Sequence, residues 1–545
     1  MRLYNVSMFA FALFVGIYAY LIFALGLAGV LYKDVVVVIS ISFWTILFLW
    51  KTRAREIHIK ELLHSFHSLT ALLVKQKLAT CLVLLLLFQA IVNLIGALGP
   101  ELAFDSLWYH LTIPKVWLLN HSISFIPGGL LYYSVMPKLG ELLFVPGLVF
   151  GGAIGAKLIH FSFGILVGVA LYRLQRKFFT PLISLVGVVI FYSNLVVGWE
   201  SITGYIDLIR TFFEVMALWG FLNWQEDKQR KWLILSACML GLAITTKLLA
   251  IGSLIILSIL CLWINRKEVT KMIGPLTIYW LIALVIPLPW LLLSYLATGN
   301  PVYPFFTELY KVTPEPLTLF GYFLSIWELL IKSSDPLSPI YLLFIPLVIF
   351  CWPKLSKEIK VIGLYSSLAL IGWYFTPRTG GGRFILPYLP AFSILCAACL
   401  KYFFDNKKKY GRLFTKILLT IVIFISMSSI GYRLAANVKY LPVILGQQTQ
   451  QSFLTDHLNF SFGDFYDTDN YFKEHIGSND KVLLYGFHNL YYVDFPFVDS
   501  SWVSDKDKFT YIATQNTKLP EKYKQWKLVY KNDKTMVNLY QKPAR

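Results

Sequence analysis

The stretch Glu101–Pro137, ELAFDSLWYHLTIPKVWLLNHSISFIPGGLLYYSVMP, decides how the rest of the chain is read. It follows an apolar run and carries an isolated carboxylate, Asp105. An aromatic, cationic segment comes next: Trp108, Tyr109, His110, Lys115 and Trp117. Elsewhere the polar residues fall in short loops. Leu107–Leu119 has the pattern of a helix lying in a membrane interface, with tryptophans and leucines toward lipid and His110 and Lys115 in water. Pro137–Gly152 is apolar but short, and Pro146 and several glycines interrupt it. It reads as a second interfacial or re-entrant helix rather than a span.

The composition around this stretch is that of a polytopic membrane protein. Of 545 residues 57% are hydrophobic and only 14% charged, against roughly 25% charged in soluble chains. The mean hydropathy is +0.62. The formal net charge is +19, which in a soluble protein would suggest nucleic acid. Here the lysines and arginines group into loops that obey the positive-inside rule, and no nucleic-acid partner is expected. The six cysteines fall in apolar runs and give neither a disulfide framework nor metal-ligand spacing.

Three apolar runs, about 8–31, 35–50 and 79–98, precede the long loop over 98–153. A basic segment containing His58, His64 and His67 separates the second from the third and makes no convincing metal site. Ten further spans are expected at about 156–173, 180–197, 204–222, 232–246, 248–265, 273–296, 337–352, 360–376, 384–402 and 413–433. The loops RLQRK, QEDKQRK, NRKE, PKLSKEIK and KYFFDNKKKYGR are each net basic and are assigned to the cytoplasm. The expectation is thus a polytopic α-helical membrane protein with about thirteen transmembrane helices over 1–434. The amino terminus is then inside, and Asp105 lies on the extracytoplasmic face, a multi-pass arrangement fitting a bacterial inner or plasma membrane. After residue 434 the composition turns polar. KVLLYG, FTYIAT, WKLVYK and MVNLYQ read as strands and TDNYFKEHIG as a helix, which predicts a small extracytoplasmic α/β domain over 435–545.

Charged groups in or beside spans point to function, because one at the bilayer centre costs roughly 2.5–3.5 kcal/mol even on the lenient insertion scale. Asp105, at the mouth of a span, suits a general base for an acceptor hydroxyl; it also stands where a helix N-cap would. In GYIDLIRTFFEV, Asp207 lies at the outer end of its span, followed on the same face by Arg210 and Glu214, which can neutralise each other at i, i+4. Glu200 is a further candidate. Lys247, Arg378 and Arg383 are outward cations and need anions. A guanidinium suits phosphate, while lipid head groups are the alternative partner. Tyr109, His110 and Lys115 are candidates for contact with substrate. No cofactor is called for; a divalent cation is allowed but not indicated, since Asp105 has no acidic neighbour.

FDSLWYHLTIPKVWL after an outward span, the later GYIDL, TTKLLA, PWLLLSYLATGNPVYPFF and GGGRFILPYLP together resemble the GT-C superfamily of integral-membrane glycosyltransferases, over about 80–400. The resemblance is nearest to relatives of the protein O-mannosyl and aminoarabinose transferases. It implies inverting transfer from a polyprenyl-phosphate sugar to an acceptor hydroxyl outside the cytoplasm. Asp105 would be the base and Asp207 would position the acceptor or the base. Lys247 and Arg383, with Arg378 nearby, would hold the leaving phosphate. The acceptor class, whether lipid, glycan or protein, stays open. A lipid-linked-glycan flippase and a polysaccharide polymerase or ligase are the competing classes.

Overall fold

The computed structural model describes residues 2–53, 76–311, 318–332, 337–376, 381–405 and 409–543. Arg378, His58, His64 and His67 lie outside the described residues. Among the described residues, five helices are long and apolar enough to cross a membrane: Met8–Leu27, Lys77–Leu98, Leu139–Gln175, Gly381–Asp405 and Gly411–Ile444. The bent pair Val269–Val285 and Leu288–Thr298, 56° apart, makes a sixth if taken as one span. The thirteen expected spans are therefore not all matched by helices of that length. Hydropathy registers an apolar run but not its breaks: the run from 180 to 197 is split at Ser193 and Asn194 between the helices Pro181–Tyr192 and Leu195–Glu200. The helix Leu319–Ile331 has no counterpart in the sequence reading.

The re-entrant reading of Pro137–Gly152 meets a specific feature. Within Leu139–Gln175 the backbone leaves helical geometry at Gly151 and Gly152, the latter at φ +57°. A Cβ on Gly147 would come within 2.8 Å of the Ala156 amide nitrogen, and one on Gly155 would collide with the Gly147 carbonyl oxygen. Residues eight apart in a straight helix are about 12 Å apart, so the chain turns back on itself here, and only glycine allows the approach. Gly155→Ala is expected to cost about 1–3 kcal/mol by forcing the two backbones apart. Gly151→Ala, where nothing lies within 4 Å, should stay within about 0.5 kcal/mol of wild type. Unfolding midpoints in detergent read the difference.

Asp207–Asp227 is the central helix. It is apolar almost all round and buried from Asp207 to Trp224, as expected for a helix surrounded by others. It packs chiefly against Arg230–Thr246 and Leu139–Gln175. Gly220 brings it close to Ser236, where a Cβ would meet the serine Cβ at 2.9 Å. Its first turn is held by His160: the Leu208 amide donates to Nε2 at 3.0 Å, and Nδ1 donates to the Thr203 carbonyl at 3.0 Å. One imidazole thus satisfies an orphan helix donor and fixes the loop that enters the helix.

The carboxyl-terminal part forms a five-stranded sheet of order β2-β1-β3-β5-β4. The strands are β1 (Val482–Tyr485), β2 (Phe497–Asp499), β3 (Tyr511–Gln515), β4 (Lys527–Asn532) and β5 (Val537–Gln541). β1 runs parallel to both β2 and β3, and β4 and β5 close an antiparallel hairpin against β3. Val482, Leu483 and Leu484 are all buried, the continuous apolar run of a central parallel strand. β2, three residues long, had no strand pattern to read.

Candidate active site

Four charged side chains from four separate parts of the chain form a row. Arg383 Nη1 donates to Asp105 Oδ2 at 2.7 Å. Its Nε lies 3.9 Å from Asp207 Oδ2, and Asp207 Oδ1 accepts from Lys247 Nζ at 2.7 Å. The signs alternate and sum to zero. Asp207 is fully buried, whereas the side chains of Asp105, Arg383 and Lys247 are 16%, 13% and 16% exposed. Local structure sets each member. Asp105 precedes the one-turn π-helix Ser106–His110 and makes no side-chain capping bond, so the N-cap alternative does not hold its carboxylate. Asp207 opens the central helix. Lys247 is an extended residue (φ −154°, ψ 120°) between Arg230–Thr246 and the next helical turn. Arg383 lies in the short helix Gly381–Ile385, its guanidinium 4.7 Å from the Tyr205 ring centre. The Asp105 amide donates to the Tyr205 hydroxyl at 3.2 Å. Burial pushes the Tyr109 phenol well up, so it stays protonated.

Asp105, Lys247 and Arg383 line a cavity of about 250 Å³. Its other wall is a second cluster. His110 Nδ1 lies 2.8 Å from Glu141 Oε1, and Lys138 Nζ donates to the same oxygen at 3.0 Å. Glu141, an acceptor, fixes the proton on Nδ1. Burial pushes the His110 pKa down, against the pull of Glu141, so the imidazole is neutral at pH 7. Tyr109 lies beneath the Lys138 ammonium, 5.5 Å from ring centre to nitrogen.

The structure does not bring every candidate to this cavity. Lys115 faces the carboxyl-terminal domain: its ammonium donates to the Tyr491 and Val493 carbonyls, both at 2.7 Å, and to Asp494 at 2.8 Å. Three oxygens on a segment far along the chain hold it there. Glu200 is buried beside His160, 3.8 Å from Nε2, away from the cavity wall. Arg210 and Glu214 pair at 2.6 Å deeper in the molecule, with Tyr388, Tyr365 and Ser253 completing the network. Among the described residues no group of three or more His, Cys, Asp or Glu is arranged to hold a metal ion.

A family model described as dolichyl-phosphate-mannose-protein mannosyltransferase matches residues 148–293. A comparison with curated proteins finds no match. Among solved structures, apo ArnT from Cupriavidus metallidurans superposes with a TM-score of 0.59 at 14% identity, covering 85% of this chain and 98% of that one. ArnT from the same organism bound to undecaprenyl phosphate gives 0.60 at 12% identity, covering 84% and 97%. The chain thus shares its fold with these two structures over most of both lengths. The family-model match takes in the central helix, Asp207 and Lys247 but neither Asp105 nor Arg383, so what joins the row is tertiary structure.

Two residues of the cavity wall escaped the sequence reading. Glu141, in LGELLF, is a lone acid in the first turn of an apolar helix, where an acid also serves the helix dipole. Lys138 precedes it as an ordinary interfacial lysine. A carboxylate inside a predicted re-entrant helix was the available signal. The loop itself is held from above. The Tyr492 hydroxyl donates to the Glu101 carbonyl at 2.9 Å and accepts from its amide at 3.1 Å. The His488 ring lies 4.9 Å from Phe104 and 4.8 Å from Trp108. Those contacts bracket Asp105 on both sides.

Proposed function

We propose that this protein transfers a sugar from a polyprenyl-phosphate-linked donor to an acceptor hydroxyl, by single displacement with inversion, on the extracytoplasmic face of the membrane. The observation carrying the proposal is the alternating row Asp105–Arg383–Asp207–Lys247 beside a cavity. Two cations there can take a phosphate, and a carboxylate next to them can take a proton. The donor phosphate draws Arg383 and Lys247. Arg383 then loosens its bond to Asp105 and frees that carboxylate to act as base. The acceptor O–H attacks the anomeric carbon, its proton passes to Asp105, and the bond from that carbon to the phosphate oxygen breaks. Polyprenyl phosphate leaves with the electron pair, neutralised by the two cations. Asp207, buried between them, keeps the pair of cations in place before the donor arrives.

The mean strength of charge-assisted bonds, about 1.5–3 kcal/mol, predicts that Arg383→Ala weakens donor binding about 10–100-fold. An unchanged donor affinity would count against a phosphate contact. Transfer itself is read in membrane extracts supplied with a panel of polyprenyl-phosphate sugars. No transfer from any of them by the wild-type chain would overturn the proposal. The same reading divides the chain into a membrane domain over 1–434 and an extracytoplasmic domain over 435–545. A cysteine placed at Ser500 should react with an impermeant reagent from outside intact cells.

A further inference from the structure

A second, larger cleft of about 600 Å³ opens between the outer loop and the carboxyl-terminal sheet. This lies within the range of about 300–1,000 Å³ usual for small-molecule sites. One wall is the end of the helix Thr112–Asn120 and residues 124–127, with Asn120 and Phe125; the other is 493–498, with Phe497, and Trp502. Two ion pairs also line it, Lys115–Asp494 and Lys481–Asp507.

We propose that this cleft binds a neutral saccharide, the glycan portion of the acceptor. The inference rests on the transfer reading above and names the acceptor class which that reading leaves open. Three observations carry it. First, each lysine is already paired: Lys115 with Asp494 at 2.8 Å and Lys481 with Asp507 at 3.1 Å. The cleft therefore offers no net charge to an anion, yet presents oxygens and N–H groups to hydroxyls. Asp494 is 80% exposed despite its bond to Lys115, so its other lone pairs are open to a ligand. Second, the partly buried rings of Phe125, Phe497 and Trp502 supply apolar faces between those polar groups. Alternating C–H faces and hydroxyls are what a sugar ring brings to such a surface. Third, one short segment lines both openings: His110 is on the cavity wall and Lys115 in the cleft, five residues apart and about 8 Å along the chain at helical rise. The proposal requires a bound glycan long enough to reach from the cleft to Asp105.

The test uses full-length protein in detergent on an array of neutral and acidic oligosaccharides. The wild-type chain is expected to retain at least one neutral glycan, and Trp502→Ala and Asp494→Ala each to weaken that binding about tenfold. Asp494 is exposed enough that its variant folds even if the tryptophan variant does not. Asp105→Asn should bind the array as wild type does, which separates this result from the outcome of the transfer assay. Binding only to acidic glycans, binding to none, or binding indifferent to Asp494→Ala would overturn the proposal. If the array result holds while no donor supports transfer, the cleft stands and the catalytic reading falls.

Discussion

Asp105→Asn is expected to lower sugar transfer about 10²–10⁴-fold, the range for a positioned general base, without weakening donor binding. The second half of that outcome carries the information. In the resting molecule Asp105 occupies Arg383 at 2.7 Å. Asparagine removes the competing charge and leaves the guanidinium freer for phosphate, so donor affinity should hold or tighten. If Asp105 served only to hold Arg383 in place, transfer and donor binding would fall together. Parallel measurement of transfer rate and of binding to a polyprenyl-phosphate sugar decides between the two roles. Wild-type turnover in the variant would remove Asp105 from the mechanism altogether.

Lys247→Met should produce the largest loss of stability in the membrane domain. Among the described residues its ammonium makes the sole hydrogen bond to the side chain of Asp207, which is fully buried. Arg383, the next cation along the row, stands 3.9 Å away and is shared with Asp105. Stripping one partner from a buried ion pair costs about 3–5 kcal/mol, because the other charge is left without compensation. The double variant Asp207→Asn with Lys247→Met should recover most of that loss, since a neutral pair carries no such penalty. Unfolding midpoints in detergent for the two single variants and the double variant close the cycle. A single variant as stable as wild type would mean that Asp207 and Lys247 are not energetically coupled.

Asp105, Asp207, Lys247 and Arg383 stand out in the sequence because each is an ionisable group inside or beside a long apolar run, where its cost demands a partner or a cavity. Glu141 and Lys138 carry the same charges but fall in a stretch whose sequence reads as a short interfacial helix, where such residues are ordinary. Lys115 has the pattern of a wet lysine on an amphipathic helix. What fixes it is a trio of oxygens at 491–494, nearly four hundred residues on, and periodicity holds no trace of that. The strands with clear alternation or a continuous apolar run could be read; β2, held by its neighbour β1, could not.

Composition and hydropathy alone established that this chain lives in a membrane, with a polar carboxyl-terminal portion, because those properties add up residue by residue. Which charges face each other was decided only by the tertiary structure. The turn at Gly151 and Gly152, the imidazole of His160 on the central helix and the clamp of Tyr492 on Glu101 set the distances between elements. A distance of 2.7 or 3.9 Å across the site depends on all of these contacts at once.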